Sequence, residues 1–122
     1  MESFIRLAIR AAKRGIHEEY PVGAVIVDKN RVVSTGFNNQ HKTHPMIKAI
    51  DPHRTLHAEI HAIIRSGRCE LQDATVIVYR QSKTGKMAMA KPCPTCQALL
   101  KEHGVSRMIY STPEGWAREK IA

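Results

Sequence analysis

Hydrophobic and polar positions change their spacing several times along the chain, and each change predicts a new element. Apolar residues first recur at helical spacing, then alternate as β-branched residues after Pro21, and later switch between the two patterns, with Gly and Pro at most of the boundaries. These patterns predict, in chain order, a helix within residues 1–15, a hairpin of strands 22–28 and 31–35 that ends at Gly36, a loop over 37–54, a helix over 55–66, a strand over 74–80, an extended piece over 86–90, a helix over 94–104, a strand over 105–111 and a helix over 113–122.

This order of elements predicts a fold class. After the hairpin, strands alternate with helices, and such crossovers require at least one parallel strand pair with helices on both faces of the sheet. The chain has 122 residues, the usual size of one domain. We therefore expect a single α/β domain over residues 1–122, built as a three-layer α/β/α sandwich around a mixed central sheet.

The composition is biased toward positive charge. Lys and Arg number 19 against 11 Asp and Glu, which gives a net charge of +8. A positive field of this size attracts phosphates, whether on a nucleotide or on a nucleic acid, although a basic but otherwise ordinary surface is an open alternative. The apolar stretches are far shorter than the roughly 20 residues that a membrane-spanning helix needs, so a membrane protein is excluded.

The cysteines predict a metal site. The chain has three Cys, and two of them, Cys93 and Cys96, are three positions apart. So few cysteines at this spacing favour metal binding in a reducing compartment over disulfides, and the cytoplasm is the expected location.

Two short segments open the second and third predicted helices, and they carry candidate chemistry: His57-Ala58-Glu59 and Pro92-Cys93-Pro94-Thr95-Cys96. Cys93 and Cys96 lie at i and i+3, so both sulfurs can face one point, and a helix amino terminus favours thiolate. Two thiolates and one imidazole suit Zn²⁺, with a remaining tetrahedral position for water. Three protein ligands indicate a catalytic zinc site, although a structural site completed by a second His is an alternative.

Glu59 extends this prediction from metal binding to hydrolysis. It is too close along the chain to His57 to join it easily as a ligand, yet near enough to reach a water in the zinc site. Zinc lowers the pKa of such a water to about 7, and a neighbouring carboxylate can take its proton and return it to a leaving group.

The two segments together resemble a known family. H-x-E followed after 32 residues by P-C-x-x-C matches the signature of zinc deaminases. The chain is similar, over about residues 3–112, to the cytidine and deoxycytidylate deaminase superfamily, which also includes tRNA adenosine deaminases. Residues 20–27 resemble the first strand of that family, and residues 34–38 resemble its second strand with the Asn that follows.

This resemblance implies roles for six residues. His57, Cys93 and Cys96 would hold one catalytic zinc ion, and Glu59 would be the proton shuttle. Asn38 would hydrogen-bond the substrate sugar or base, and the backbone of Ala58 would contact the base carbonyl. The resemblance also implies a cytidine deaminase-like fold and a homo-oligomer.

The substrate is less determined than the reaction. A free cytosine nucleoside or nucleotide is the leading hypothesis, with deoxycytidylate favoured because the positive charge suits a phosphate. The alternatives are a base within nucleic acid, either tRNA adenosine or single-stranded cytosine, and a non-catalytic zinc module that binds nucleic acid. Only 5% of the residues are aromatic, which leaves little for stacking along a strand.

Further histidines lie in the second predicted helix and in the long loop before it. His61 follows His57 by one helical turn, and we expect it to be packed or hydrogen-bonded within the domain. The polar residues of the long loop are either ordinary loop residues or line the site mouth, where they would contact a substrate phosphate or bind a second zinc: His41, Lys42, His44, Lys48, His53 and Arg54.

Overall fold

The computed structural model describes residues 2–15, 20–39, 57–67 and 71–121. Within these residues, three helices and six strands follow one another. They are α1 (Glu2–Ala12), β1 (Val22–Asp28), β2 (Arg31–Phe37), α2 (Ala58–Ser66), β3 (Thr75–Gln81), β4 (Met87–Ala88), α3 (Pro94–Glu102), β5 (Arg107–Thr112) and β6 (Gly115–Lys120).

The strands form one mixed sheet. Its order is β2-β1-β3-β5-β6, and the short β4 pairs with β3 beside this path. β3 and β5 are parallel because the chain crosses over between them through α3, whereas the other pairs are antiparallel. The predicted hairpin and the predicted parallel pair are both confirmed.

Helices cover both faces of this sheet. On one face α1 packs through Ala8 and Ala12 against Val25 and Ile77. The opposite face carries α2 and α3 over a larger core. Strands β1 and β3 are therefore buried on both sides, which explains why their sequences are almost continuously apolar. The predicted three-layer α/β/α arrangement is confirmed.

Gly36 allows α2 to approach the sheet closely. A Cβ atom at this position would lie 2.4 Å from both the Ala58 carbonyl oxygen and the Ala62 nitrogen, so only glycine fits without movement. Ser34, on the same face of β2, donates a hydrogen bond of 2.6 Å from its hydroxyl to the Ala62 carbonyl. Together these contacts fix the position of the first turns of α2.

Replacing Gly36 with Ala is expected to lower the free energy of unfolding by about 1–3 kcal/mol, because the added methyl group forces α2 away from β2. Urea denaturation measures this change. Val32→Ala, at an exposed position of the same strand, is the control and should cost below about 0.5 kcal/mol. A Gly36→Ala protein as stable as the wild type would contradict the close approach.

The predicted helix over residues 113–122 is wrong. Residues Gly115–Lys120 form β6, which pairs antiparallel with β5 and occupies the edge of the sheet. Good helix formers dominate this segment, but the stacking of Trp116 on Tyr79, with ring centroids 6.1 Å apart, anchors it as a strand. Tertiary packing here overrides local propensity.

The other helix boundaries differ little from the predictions. The first helix ends at Ala12 and is followed by a turn, and the third ends at Glu102. Of the second predicted helix, residues 55–56 lie outside the described residues, as do residues 40–54 of the predicted loop. In the described part of the chain, no helix is long and apolar enough to cross a membrane.

Candidate active site

Helices α2 and α3 begin at one edge of the sheet. Gly23 of β1 pairs with both Phe37 and Tyr79, so the carboxyl ends of β2 and β3 lie at the same edge of the sheet, on either side of β1. The first turn of α2 packs over the end of β2, and β3 leads through β4 to α3. The two motifs, although 32 residues apart in sequence, therefore meet at this edge.

His57, Cys93 and Cys96 form a compact group of donor atoms. The His57 Nδ1 atom lies 3.3 Å from the Cys96 sulfur and 4.0 Å from the Cys93 sulfur. All three donor atoms lie within 4.8 Å of one another. Among the described residues, this is the group of His, Cys, Asp and Glu side chains that could hold a metal ion.

The helix termini explain why these side chains converge. His57 and Cys93 are the N-cap residues of α2 and α3, and both have extended backbone conformations. The Cys93 sulfur accepts a hydrogen bond from the Cys96 backbone N–H at 3.5 Å, and Pro94 follows as the first helical residue. The partial positive charge of a helix amino terminus stabilises thiolates, which are the form that binds metal.

The donor set fits Zn²⁺. In a tetrahedral zinc site with bonds of about 2.0–2.3 Å, the ligand atoms lie roughly 3.3–3.8 Å apart. The separations of the His57 and cysteine donor atoms are close to this range. Two sulfurs and one nitrogen are also ligands that zinc prefers, and three of them leave one position open.

Glu59 lies beside this group and is 5% exposed. Burial raises the pKa of its carboxyl above the ordinary value, whereas the charge of His57 and a hydrogen bond from the Glu59 backbone N–H lower the pKa. The Cys93 charge raises the pKa and a hydrogen bond with Cys96 lowers it. A carboxyl whose proton is held more tightly than usual is suited to acid and base roles near neutral pH.

Asn38 lies at the end of β2, on the same edge, and is 8% exposed. Its Oδ1 atom accepts a hydrogen bond from the Val22 backbone N–H, and its Nδ2 atom donates to the Tyr20 carbonyl, each at 2.9 Å. These bonds fasten the start of β1 to the end of β2. Because a carboxamide offers two N–H donors, one of them has no acceptor among the described residues.

Ala58 is the first residue of α2 and is fully buried. Its carbonyl lies against Gly36. The structure therefore places Ala58 at the N-terminus of α2, next to His57, where its side chain is part of the packed core.

His61 is packed within the domain, as predicted. Its ring lies edge-on to Phe37 with centroids 4.6 Å apart, and its Nδ1 atom is 3.1 Å from the Phe37 nitrogen. The candidates of the long loop lie outside the described residues: His41, Lys42, His44, Lys48, His53 and Arg54.

Ser111 supports the site and was not predicted. It is fully buried, and its hydroxyl donates to the Ala88 carbonyl at 2.7 Å and accepts from the Arg80 backbone N–H at 3.0 Å. Its carbonyl accepts from the Ala90 N–H at 2.9 Å. These bonds hold the segment that leads to Cys93. A single Ser in a strand carries no sequence signal for such a role.

Comparisons with known proteins agree with this geometry. The profile of the cytidine and deoxycytidylate deaminase zinc-binding region matches residues 1–112. The chain is 27% identical over 127 residues to the deoxycytidylate deaminase of Mycobacterium phage D29, covering 89% of this chain and 91% of the relative. It is 28% identical over 124 residues to that of Schizosaccharomyces pombe, covering 89% of this chain but 36% of the yeast protein.

A third relative has a different name. The tRNA-specific adenosine deaminase of Buchnera aphidicola subsp. Baizongia pistaciae is 34% identical over 110 residues, covering 88% of this chain and 58% of the relative. Among solved structures, dCMP deaminase from the cyanophage S-TIM5 has the same fold, with a TM-score of 0.65 and 19% identity over 89% of this chain and 79% of that one. This chain therefore belongs to the cytidine and deoxycytidylate deaminase family of zinc-binding hydrolytic enzymes.

Proposed function

We propose that this protein removes the exocyclic amine of cytosine in a free nucleotide, with deoxycytidylate as the substrate. Water supplies the oxygen that replaces the amine, and ammonia leaves. The observation that carries this proposal is a buried carboxyl, Glu59, beside a group of one imidazole and two thiols that fits zinc.

His57, Cys93 and Cys96 would hold the zinc ion, each through one donor atom. Zinc lowers the pKa of water and so provides a nucleophile near neutral pH. Because only three protein side chains would hold the ion, one position would be left for water.

Glu59 would move the protons of the reaction. Its carboxylate takes a proton from the attacking water and passes it to the ring nitrogen next to the amine. The second proton comes from the hydroxyl that has been added to the ring carbon, and the same carboxyl passes it to the amine; the C–N bond then breaks, and ammonia departs as the carbonyl forms. The desolvated position of Glu59, which raises its pKa, supports both proton uptake and proton release.

Charge and relatives support a free nucleotide. The net charge of +8 attracts a phosphate, and two of the relatives are named deoxycytidylate deaminases. The 34% identity to a tRNA-specific adenosine deaminase favours a second candidate, adenosine within tRNA. The low aromatic content argues against extended contact with a nucleic-acid strand.

A substrate panel tests this proposal by ammonia release from the zinc-loaded protein. The panel contains deoxycytidylate, deoxycytidine, cytidine, adenosine, guanine, short RNA and DNA strands, and a tRNA anticodon stem-loop. We expect turnover of deoxycytidylate, because the phosphate adds charge-assisted contacts. Turnover confined to strands would overturn the free-nucleotide proposal, and no turnover across the panel would contradict the deaminase proposal. A tRNA anticodon stem-loop that is the best substrate would establish the second candidate.

A further inference from the structure

Arg80 lies at the site edge, on the face that carries the zinc-binding group. It is the penultimate residue of β3 and pairs with Val22 of β1 and Ala88 of β4. Side chains alternate along a strand, so Arg80 shares the face of Val76 and Val78, which pack in the core beneath α2 and α3. The same face and edge carry the amino termini of those two helices.

The guanidinium of Arg80 is held in place but has few hydrogen bonds. It stacks over the Tyr20 ring, with the central carbon 4.1 Å from the ring centroid. One terminal nitrogen donates a long bond of 3.4 Å to the Met89 carbonyl. The Nε atom is buried and has no hydrogen-bond partner among the described residues. Most of the five N–H donors of this side chain therefore have no acceptor within the part of the chain that the structure describes.

An arrangement of this kind indicates a binding site for an anion. A buried donor without an acceptor is unfavourable, and such groups in folded proteins usually mark a place where a ligand or water binds. Among the described residues, the ion pairs join Arg6 to Glu2 and Lys91 to Glu119, and Arg80 takes part in neither. A preoriented guanidinium without a carboxylate partner among the described residues is well suited to phosphate, which it can contact through two parallel N–H groups.

The position of Arg80 is coupled to the predicted substrate residue Asn38. The Asn38 amide donates to the carbonyl of Tyr20, and the Tyr20 ring supports the guanidinium. Ser111 further fixes the Arg80 backbone and the segment that leads to Cys93. The guanidinium therefore keeps a fixed position relative to the site.

We propose that Arg80 binds the 5′-phosphate of the substrate and makes the enzyme selective for a nucleotide over its nucleoside. This inference rests on the proposed function, which supplies a cytosine nucleotide as the substrate. The base would lie toward His57 and Glu59, and the phosphate toward Arg80 and Tyr20.

Steady-state kinetics of Arg80→Gln on deoxycytidylate and deoxycytidine test the assignment. For deoxycytidylate we expect kcat/KM to fall about 10-fold to 100-fold, mainly through KM, because a charge-assisted hydrogen bond is lost. For deoxycytidine the change should stay below about twofold, because that substrate has no phosphate to lose. An equal fall for both substrates, or no fall for either, would overturn the proposal.

Two further variants separate a binding role from charge and stability. Arg107→Gln removes one exposed positive charge at the opposite end of the sheet and should leave both kcat/KM values unchanged. Arg80→Lys keeps the charge but loses the planar pair of donors, so its deoxycytidylate kcat/KM should lie between those of Arg80→Gln and the wild type. If Arg80→Gln fails to fold, Arg80→Lys alone decides: deoxycytidylate activity equal to that of the wild type overturns the proposal.

Binding measurements distinguish this inference from the proposed function. In a Glu59→Gln background, calorimetry with deoxycytidylate and deoxycytidine reports affinity without turnover. Weaker binding of deoxycytidylate after Arg80→Gln, with deoxycytidine unchanged, supports the phosphate site even if no cytosine compound is deaminated. If the Glu59→Gln proteins with Arg80 and with Arg80→Gln bind deoxycytidylate equally well, the proposed phosphate site is overturned.

Discussion

Replacing Glu59 with Gln is expected to lower kcat by about 10³-fold while the protein keeps its zinc and its fold. Gln has nearly the same shape as Glu, but its amide cannot accept and release a proton. Glu59 is buried, and the charged carboxylate is unfavourable there, so the neutral amide should leave the melting temperature unchanged or higher. Ammonia release gives kcat, elemental analysis gives the zinc content, and thermal denaturation gives the melting temperature.

The matched control is Glu102→Gln, at an exposed position that ends α3. It removes the same charge at the opposite end of that helix from Cys93 and should leave kcat unchanged. Wild-type kcat in the Glu59→Gln protein would refute the proton-transfer role. Loss of zinc from that protein would instead indicate that Glu59 is a ligand.

Replacing Cys93 with Ala is expected to remove zinc and activity together. The substitution deletes one of three ligands, and it also deletes the sulfur that accepts from the Cys96 N–H at the start of α3. Loss of this cap should cost about 1 kcal/mol beyond the loss of zinc-linked stability. The wild-type melting temperature should fall when a chelator is added, whereas that of Cys93→Ala should not change.

Two cysteine variants control for the loss of the cap and of a thiol. Cys93→Ser keeps an oxygen that can cap α3, so it should recover the cap stability but not the zinc. Cys69→Ala changes the third cysteine of the chain and should keep zinc and activity. A Cys93→Ala protein with a full complement of zinc would refute the ligand assignment.

The core of the site could be predicted because its chemistry is local in sequence. Each motif fits within one helical turn, so the spacing of Cys93 and Cys96 alone makes their sulfurs face one point. That the same point also receives His57 depends on the aligned ends of β2 and β3. The resemblance to the zinc-deaminase signature implied that His57 joins the two cysteines. The register of the sheet is the physical cause, because it aligns the strand ends from which the two motifs follow.

The edge strand shows where local information failed. Residues 117–120 are good helix formers, and nothing in their spacing marks a strand. The exposed edge of β5 accepts a hydrogen-bonded partner, and Trp116 finds a stacking partner in Tyr79, which lies 37 positions earlier in the chain. A contact over that distance cannot be read from local periodicity.

The sequence by itself determined the alternation of strands and helices, the two motifs at helix starts and the family to which they belong, because each depends on spacing over a few residues. Only the tertiary structure decided that residues 115–120 form a strand, that the amide of Asn38 fastens the start of β1, and that Arg80 lies at the site edge with a buried Nε that has no acceptor among the described residues. The physical reason is that these features arise from pairing and burial between segments distant in sequence, where packing and hydrogen-bond satisfaction outweigh local propensity.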